Sequence, residues 1–276
     1  MTLRRFFQTP KGILLVLLAL LAAAGAWQEG WSAALPDLGV AVLVAVQLDG
    51  AILRWRKGRW VFPSGALLSA LIVAMILSPE SRWFVPAVTS ALAVISKYVF
   101  RAGTANVFNP AALALVAAFY GFDSAQSWWG ALPGHPAWLV LLFATGIFMA
   151  SRVEKVPVVL CFLGCWFLLG TAAAFLGFPE QVAGLYRSPD LQAALFFAFF
   201  MVTDPPTSPP HTRDQLVYAA IAALGSFVIF AAVGAVYYLL AGLLLANAWE
   251  AARRARARAR KPRKVAFPGA PARAAS

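Results

Sequence analysis

The sequence predicts an all-α polytopic membrane protein of about ten transmembrane helices in a five-plus-five inverted repeat, and three observations carry that expectation. Hydrophobic residues make up 61% of the 276 positions against 12% charged, which leaves too little polar surface for a water-soluble fold. Lysine and arginine cluster in alternate connections between the apolar runs. The two halves of the chain also share a recognisable segment.

A hydrocarbon core about 30 Å thick needs roughly 20 apolar residues per helix, and fewer where a helix is half-length. By that ruler the spans fall at 12 to 27, 36 to 53, 63 to 78, 84 to 99, 109 to 122, 137 to 151, 157 to 177, 190 to 203, 215 to 231 and 234 to 249. The last two come from one apolar stretch of 35 residues, about 52 Å as a single helix, so a turn is required near Ala232 to Gly234.

With the N-terminus cytoplasmic, 21 of the 23 cations lie in cytoplasmic segments and only Arg82 and Arg187 lie opposite. This positive-inside asymmetry predicts a bacterial-type inner membrane protein with both termini cytoplasmic. The net charge of +12 then reflects orientation, and the tail "RRARARARKPRK" an anchor on anionic lipids, rather than nucleic-acid binding. The chain divides into a cytoplasmic N-terminus (1 to 11), a membrane domain (12 to 250) and a basic tail (251 to 276) expected to be disordered. The first span has the basic start, apolar core and small residues of a signal peptide as well.

Retention of that span is favoured by the repeat. A shift of 126 residues lays "PSGALLSALIVAMILSP" over "PDLQAALFFAFFMVTDPP", pairing Pro63 with Pro189, Met75 with Met201 and Pro79 with Pro205. These are the third and eighth spans, and an odd separation forces opposite orientation. Inverted repeats of this kind place their functional site at the repeat interface near the membrane midplane.

Polar residues interrupt the apolar pattern at two equivalent places. In "KYVFRAGTANVFNPAAL" Asn109 is a good N-cap and Pro110 suits the first helical position. The short helix that follows points its positive end at a Gly/Thr/Asn stretch, as in an ion or substrate site, or else simply closes a well-capped cytoplasmic loop. In "VTDPPTSPP" four prolines in six residues exclude a helix and hold Asp204 extended. Its carboxylate binds a cation, orients a partner subunit or caps a turn.

Asp49, in "QLDGAIL", is the one intramembrane carboxylate, readable as an ion-pathway residue or as an interfacial salt bridge with "RWRKGRW". Lys97 is the second ion-pathway candidate, with snorkelling as its plain alternative. Cys161 and Cys165 share a helix face but form an incomplete metal site, and His135 and His211 fall in opposite loops. No nucleophile elbow, P-loop or dinucleotide fingerprint is seen, and no self-contained active site is seen.

The segments "SGALLSALIVAMILSP", "SKYVFRAGTANVFNPAALAL", "FFMVTDPPTSPP" and "LLLANAWE" resemble the NqrB/RnfD family over residues 36 to 250. These are the flavin-bearing membrane subunits of Na+-translocating NADH:quinone reductase and of the Rnf electron transport complex. The combination of K-x-x-F-x-x-G-x-x-N-x-x-N-P-A with T-D-P-x-T-S-P is specific. The resemblance implies an inverted five-plus-five bundle, electron transfer through flavin coupled to Na+ or H+ movement, and other membrane subunits as partners, compatible with a subunit of a redox-driven ion translocase whose active site is not self-contained. It makes Asn106, Asn109, Asp204 and Thr207 cofactor-binding candidates.

Family members carry FMN on the threonine of an S-G-A-T motif in the extracytoplasmic loop after the fifth span. The loop here is "DSAQSWWGALPGHPAW", and its nearest match, "WGAL", puts Trp129 in place of serine and Leu132 at the acceptor position. Leucine has no hydroxyl, so covalent FMN is not expected. Three accounts remain. Electrons pass to a separate flavinylated extracytoplasmic domain; or FMN or riboflavin binds noncovalently against Trp128 and Trp129, a pair equally suited to interfacial anchoring; or redox function is lost and the bundle serves as a solute pathway. A channel or transporter with the inverted-repeat fold of urea and ammonium channels is the alternative from another class. The motif match weighs against it, as does the lack of paired histidines or an acidic ladder along the spans.

Overall fold

The computed structural model describes residues 3–103 and 105–259. The chain is all-α apart from a two-residue hairpin, Arg101–Ala102 with Ala105–Asn106. Among the described residues ten helices of twelve or more residues follow in order: α1 (Pro10–Glu29), α2 (Trp31–Lys57), α3 (Ser64–Ile76), α4 (Phe84–Val99), α5 (Pro110–Phe122), α6 (Pro136–Arg152), α7 (Val156–Phe175), α8 (Asp190–Met201), α9 (Thr212–Val233) and α10 (Tyr238–Ala259). Each overlaps one of the ten spans expected from hydropathy.

Local chemistry sets the boundaries. α1, α5 and α6 open on proline, whose missing N–H costs nothing at that position, and the Thr9, Asn109 and His135 side chains accept the backbone N–H of Gly12, Ala112 and Ala137. The turn required near 232 to 234 falls at Gly234, where α9 ends with φ +65°, a conformation glycine adopts without strain.

Four helices, α1, α2, α7 and α9, are long and apolar enough to cross a membrane by themselves, whereas α3, α4, α5, α6 and α8 are shorter. α3 has 13 residues, about 20 Å of helix, and stops short of a 30 Å core. Nine of those residues are buried, and so is every residue of α8 from Gln192 to Met201. Helices apolar all round belong inside the bundle. The other helices wrap these two, with α1, α2, α4 and α5 around α3 and with α6 and α7 against α8. α3 and α8 run in opposite directions, since the start of α3 and the end of α8 lie at one end of the bundle.

Loops sort onto two ends. At one, the basic end, the 101–110 hairpin segment, the α6–α7 turn, the 203–210 loop and the last turns of α10 are bonded together. At the other, the far end, the loop 124–135 meets the end of α3 and Ser188. The tail expected to be disordered from 251 is helical to Ala259; residues 260–276 lie outside the described residues. Glu250 accounts for the difference, because it is buried and binds Arg253 and Arg254 one turn on, at 2.7 and 2.6 Å.

Candidate functional site

Because the end of α3 is buried, with Ile76 and Leu77 enclosed, its last carbonyls need partners from protein. The loop after α5 turns back into the bundle to provide them. Ile76 O accepts the N–H of Ser127 and of Trp128 at 3.0 and 3.2 Å, and Ser78 N–H donates to Ala125 O at 3.1 Å. The Trp129 indole N–H reaches Ala74 O at 2.7 Å. Residues 129–131 form one turn of 3-10 helix packed on α1 and α3.

Close approach at two glycines makes that seat possible. A methyl at Gly25 would lie 2.7 Å from the Trp129 ring, and one at Gly130 would collide with Met75. The loop is therefore a re-entrant plug. Trp129 is 1% exposed and Leu132 0%. The expectation that both tryptophans stack on a flavin or anchor at the interface is corrected for Trp129, whose ring is enclosed by its own protein. Trp128 packs edge-on against Phe196, 6.3 Å between ring centroids, and lines a cavity of about 190 Å³ together with Gln126, Asp190 and Tyr238. Neither side-chain polar atom of Gln126 has a hydrogen-bond partner.

The two polar motifs meet at the basic end. Asn109 caps α5 through its side chain, Oδ1 accepting from Ala112 N–H at 3.1 Å, while its own backbone N–H donates to Asn247 Oδ1 at 2.7 Å. Asn247 Nδ2 donates to the Tyr218 hydroxyl at 2.6 Å, and Tyr218 lies beside Thr207 and Asp204. The Thr207 hydroxyl donates to Asp204 Oδ2 at 3.0 Å. A chain of buried polar groups thus links a motif from the first half to one from the second through α10.

The prolines of the 203–210 loop leave carbonyls that no helix can use. Arg254 takes those of Pro206 and Ser208 at 2.9 and 3.0 Å, Gln215 that of Pro210 at 3.1 Å, and Lys155 that of Pro209. Burial raises the pKa of Asp204 to about 6, against the opposing pull of the Thr207 hydroxyl and of Lys11, Lys155 and Arg254. Burial, then the Arg254 charge, lowers that of Lys155 to about 8. Both groups can change charge near neutral pH, and their carboxyl and ammonium are held by the same loop.

A second polar cluster joins α2 to α4. Asp49, 2% exposed, accepts at Oδ1 from Lys97 Nζ at 3.2 Å and from the Tyr98 hydroxyl at 2.6 Å. Its partner is Lys97 rather than an arginine of "RWRKGRW", and Lys97 turns inward to it instead of snorkelling. Lys11 lies within electrostatic reach of both Lys97 and Asp204, so the two clusters share one end of the bundle.

Of the residues singled out from sequence, Asn109, Asp204 and Thr207 belong to the first cluster and Asp49 and Lys97 to the second. Asn106 sits in the hairpin opposite Arg101, whose neighbour Ala102 accepts from Arg258 at 2.8 Å. Trp128 and Trp129 lie at the far end. Cys161 donates to Leu216 O at 3.4 Å, a packing contact between α7 and α9. Sequence reasoning missed Tyr218, Lys155 and the α10 residues Asn247, Glu250, Arg254 and Arg258. Those four recur at three- and four-residue spacing, the signature of one helix face, running from the end of the last expected span into the segment expected to be a disordered tail.

Fold and site together define a polytopic all-α membrane protein in which two short helices are buried and the polar loops are gathered at one end. Residues 4–135 match the family model for the NQR2, RnfD, RnfE family. The D subunit of the ion-translocating oxidoreductase complex of Stutzerimonas stutzeri is 37% identical over 134 residues, 45% of this chain and 38% of that protein. Proteins of the same name from Halorhodospira halophila and Klebsiella pneumoniae are 36% and 32% identical, over 40% and 46% of this chain and 33% and 37% of theirs. The first half of the chain is thus similar to the NQR2, RnfD, RnfE family and to these D subunits. The chain matches little more than a third of the length of these curated relatives, and Asp204 and Thr207 lie beyond the residues matched by the family model.

Proposed function

We propose that the chain is a membrane subunit of an Rnf/Nqr-type redox complex. The observation that carries this reading is the joining of the 97–110 and 203–210 motifs at one end of the bundle, in a chain whose first half resembles proteins named as the D subunit of an ion-translocating oxidoreductase complex. In this reading the basic end faces the cytoplasm of an inner membrane, the ten helices form a five-plus-five inverted repeat, and other membrane subunits pack beside it. Asp204 with Thr207, and Asp49 with Lys97, are the polar stations for Na+ or H+.

Covalent FMN at the family's acceptor position is not expected in this reading, because Leu132 lacks a hydroxyl and is enclosed. Electrons are accordingly exchanged with a separate flavin-bearing extracytoplasmic domain. A second reading, a noncovalent FMN or riboflavin, draws on the Trp128 cavity with its unpartnered Gln126 amide; there Trp128 would supply the stacking face and Gln126 the hydrogen bonds.

The test is to purify the full chain from native membranes with its neighbours attached and to record where flavin runs. A flavin-bearing partner should copurify, and its loss together with loss of electron transfer is expected in Asn109→Leu and Asp204→Leu while membrane insertion stays intact. Electron transfer and assembly surviving both changes would return these motifs to a purely structural role.

A further inference from the structure

We propose that the groove between α2 and α4 at the basic end holds one anionic phospholipid, with an acyl chain along the groove and the headgroup phosphate on Arg56. The groove has a volume of about 270 Å³ and is lined by Ile52, Trp55 and Arg56 of α2 and by Ile95, Tyr98 and Val99 of α4. Each set is spaced by three and four residues, so two helix faces form its walls. The lining is apolar apart from Arg56, the Tyr98 hydroxyl and the Trp55 indole N–H, and Val99 and Trp55 are 64% and 86% exposed. A furrow of that composition on two helices of a membrane bundle admits an acyl chain and gives a water-soluble ligand nothing to bind.

Its mouth is cationic. The Arg56 guanidinium lies over the Tyr98 ring at 5.1 Å, a contact that orients the side chain without neutralising it. The Tyr98 hydroxyl is committed to Asp49, which fixes the ring beneath Arg56. Lys57, Arg59 and Arg101 lie on the flanking segments, and among the described residues none of these four cations has a carboxylate within ion-pair distance. Trp60, 78% exposed, adds an indole of the kind found at headgroup level.

Charge complementarity selects the occupant. A phosphodiester with an uncompensated negative charge pairs with Arg56 and gains from its neighbours, each basic residue near an anionic surface contributing about 1 kcal/mol. A zwitterionic lipid brings its own cation into the cluster. This inference is independent of the redox reading, since it needs only a bundle in a membrane.

Native mass spectrometry of the full chain, equilibrated in detergent with equal phosphatidylglycerol and phosphatidylcholine, tests it. One retained phosphatidylglycerol per chain is expected, and Arg56→Gln should lower its retention about fivefold. Ile95→Trp fills the groove and keeps every charge, and should lower retention comparably, which covers the case in which Arg56→Gln misfolds. Arg152→Gln, at the same end but outside the groove, should leave retention unchanged. Equal retention of the two lipids, equal loss in Arg152→Gln, no effect of Ile95→Trp, or a quinone or a peptide as the retained molecule would each overturn the proposal.

Discussion

Trp129→Ser probes whether the loop after α5 is a plug or a surface loop. The change removes one of the largest fully buried side chains and leaves Ala74 O, near the open end of α3, without its 2.7 Å donor. Truncation of a buried tryptophan costs about 3–5 kcal/mol, and an orphaned carbonyl adds roughly 1–3 kcal/mol. The sum, on the order of 5 kcal/mol, rivals the net stability of a typical domain. A thermal scan of the full chain in detergent, read by fluorescence-detected size exclusion, should show a much lower midpoint for Trp129→Ser than for Trp55→Ser, at an indole that faces outward. The same geometry decides the flavin experiment. Leu132→Thr, which leaves Trp129 in its seat, should stay dark on a denaturing gel at the 29.6 kDa band when a flavin transferase is coexpressed. A hydroxyl at position 132 is enclosed, and the enzyme cannot reach it. An unchanged midpoint for Trp129→Ser, or a fluorescent band in Leu132→Thr that the parent chain lacks, would refute the plug.

Two further perturbations test the basic end. Lys97→Met strands the buried Asp49 carboxylate and should cost about 3–5 kcal/mol of stability, much of it recovered in Lys97→Met with Asp49→Asn; strictly additive losses in a double-mutant cycle would mean that the pair is not coupled. Asp204 binds its proton more tightly in the folded chain, with a pKa of about 6, than in the unfolded one. Its stabilising contribution is therefore complete below about pH 4 and is lost as pH rises through about 6, roughly 3 kcal/mol over two units. Asp204→Asn should flatten the unfolding midpoint across that window, and an undiminished slope would place the titration elsewhere.

Much of the helical framework was legible because its causes are local. The Asn109 cap with Pro110 after it, and Gly234 in the long apolar stretch, each act within a few residues of where they stand. The pairing of Asn109 with the 203–210 loop was legible only as an equivalence of motifs. The residue that makes the connection, Asn247, lies 138 positions from Asn109, just past an apolar stretch of its helix, where a single asparagine announces no partner. The helical start of the tail, 251 to 259, was hidden for a related reason: a run of arginines looks solvated until a buried Glu250 and the carbonyls of a proline loop are brought beside it.

Composition and hydropathy determined by themselves that this chain is an α-helical membrane protein, since an apolar run of bilayer length has no other way to satisfy its backbone. What becomes of a run that is too short was decided only by tertiary structure. α3 ends buried, so its carbonyls had to be met by whatever else packs there, and a distant loop supplied the N–H groups. That one requirement drew Trp129 and Leu132 into the interior and turned a loop expected at the surface into part of the core. The choice of Lys97 as partner for Asp49 has the same origin, because a buried charge takes the cation that the packing of α2 on α4 places beside it, not the one nearest in sequence.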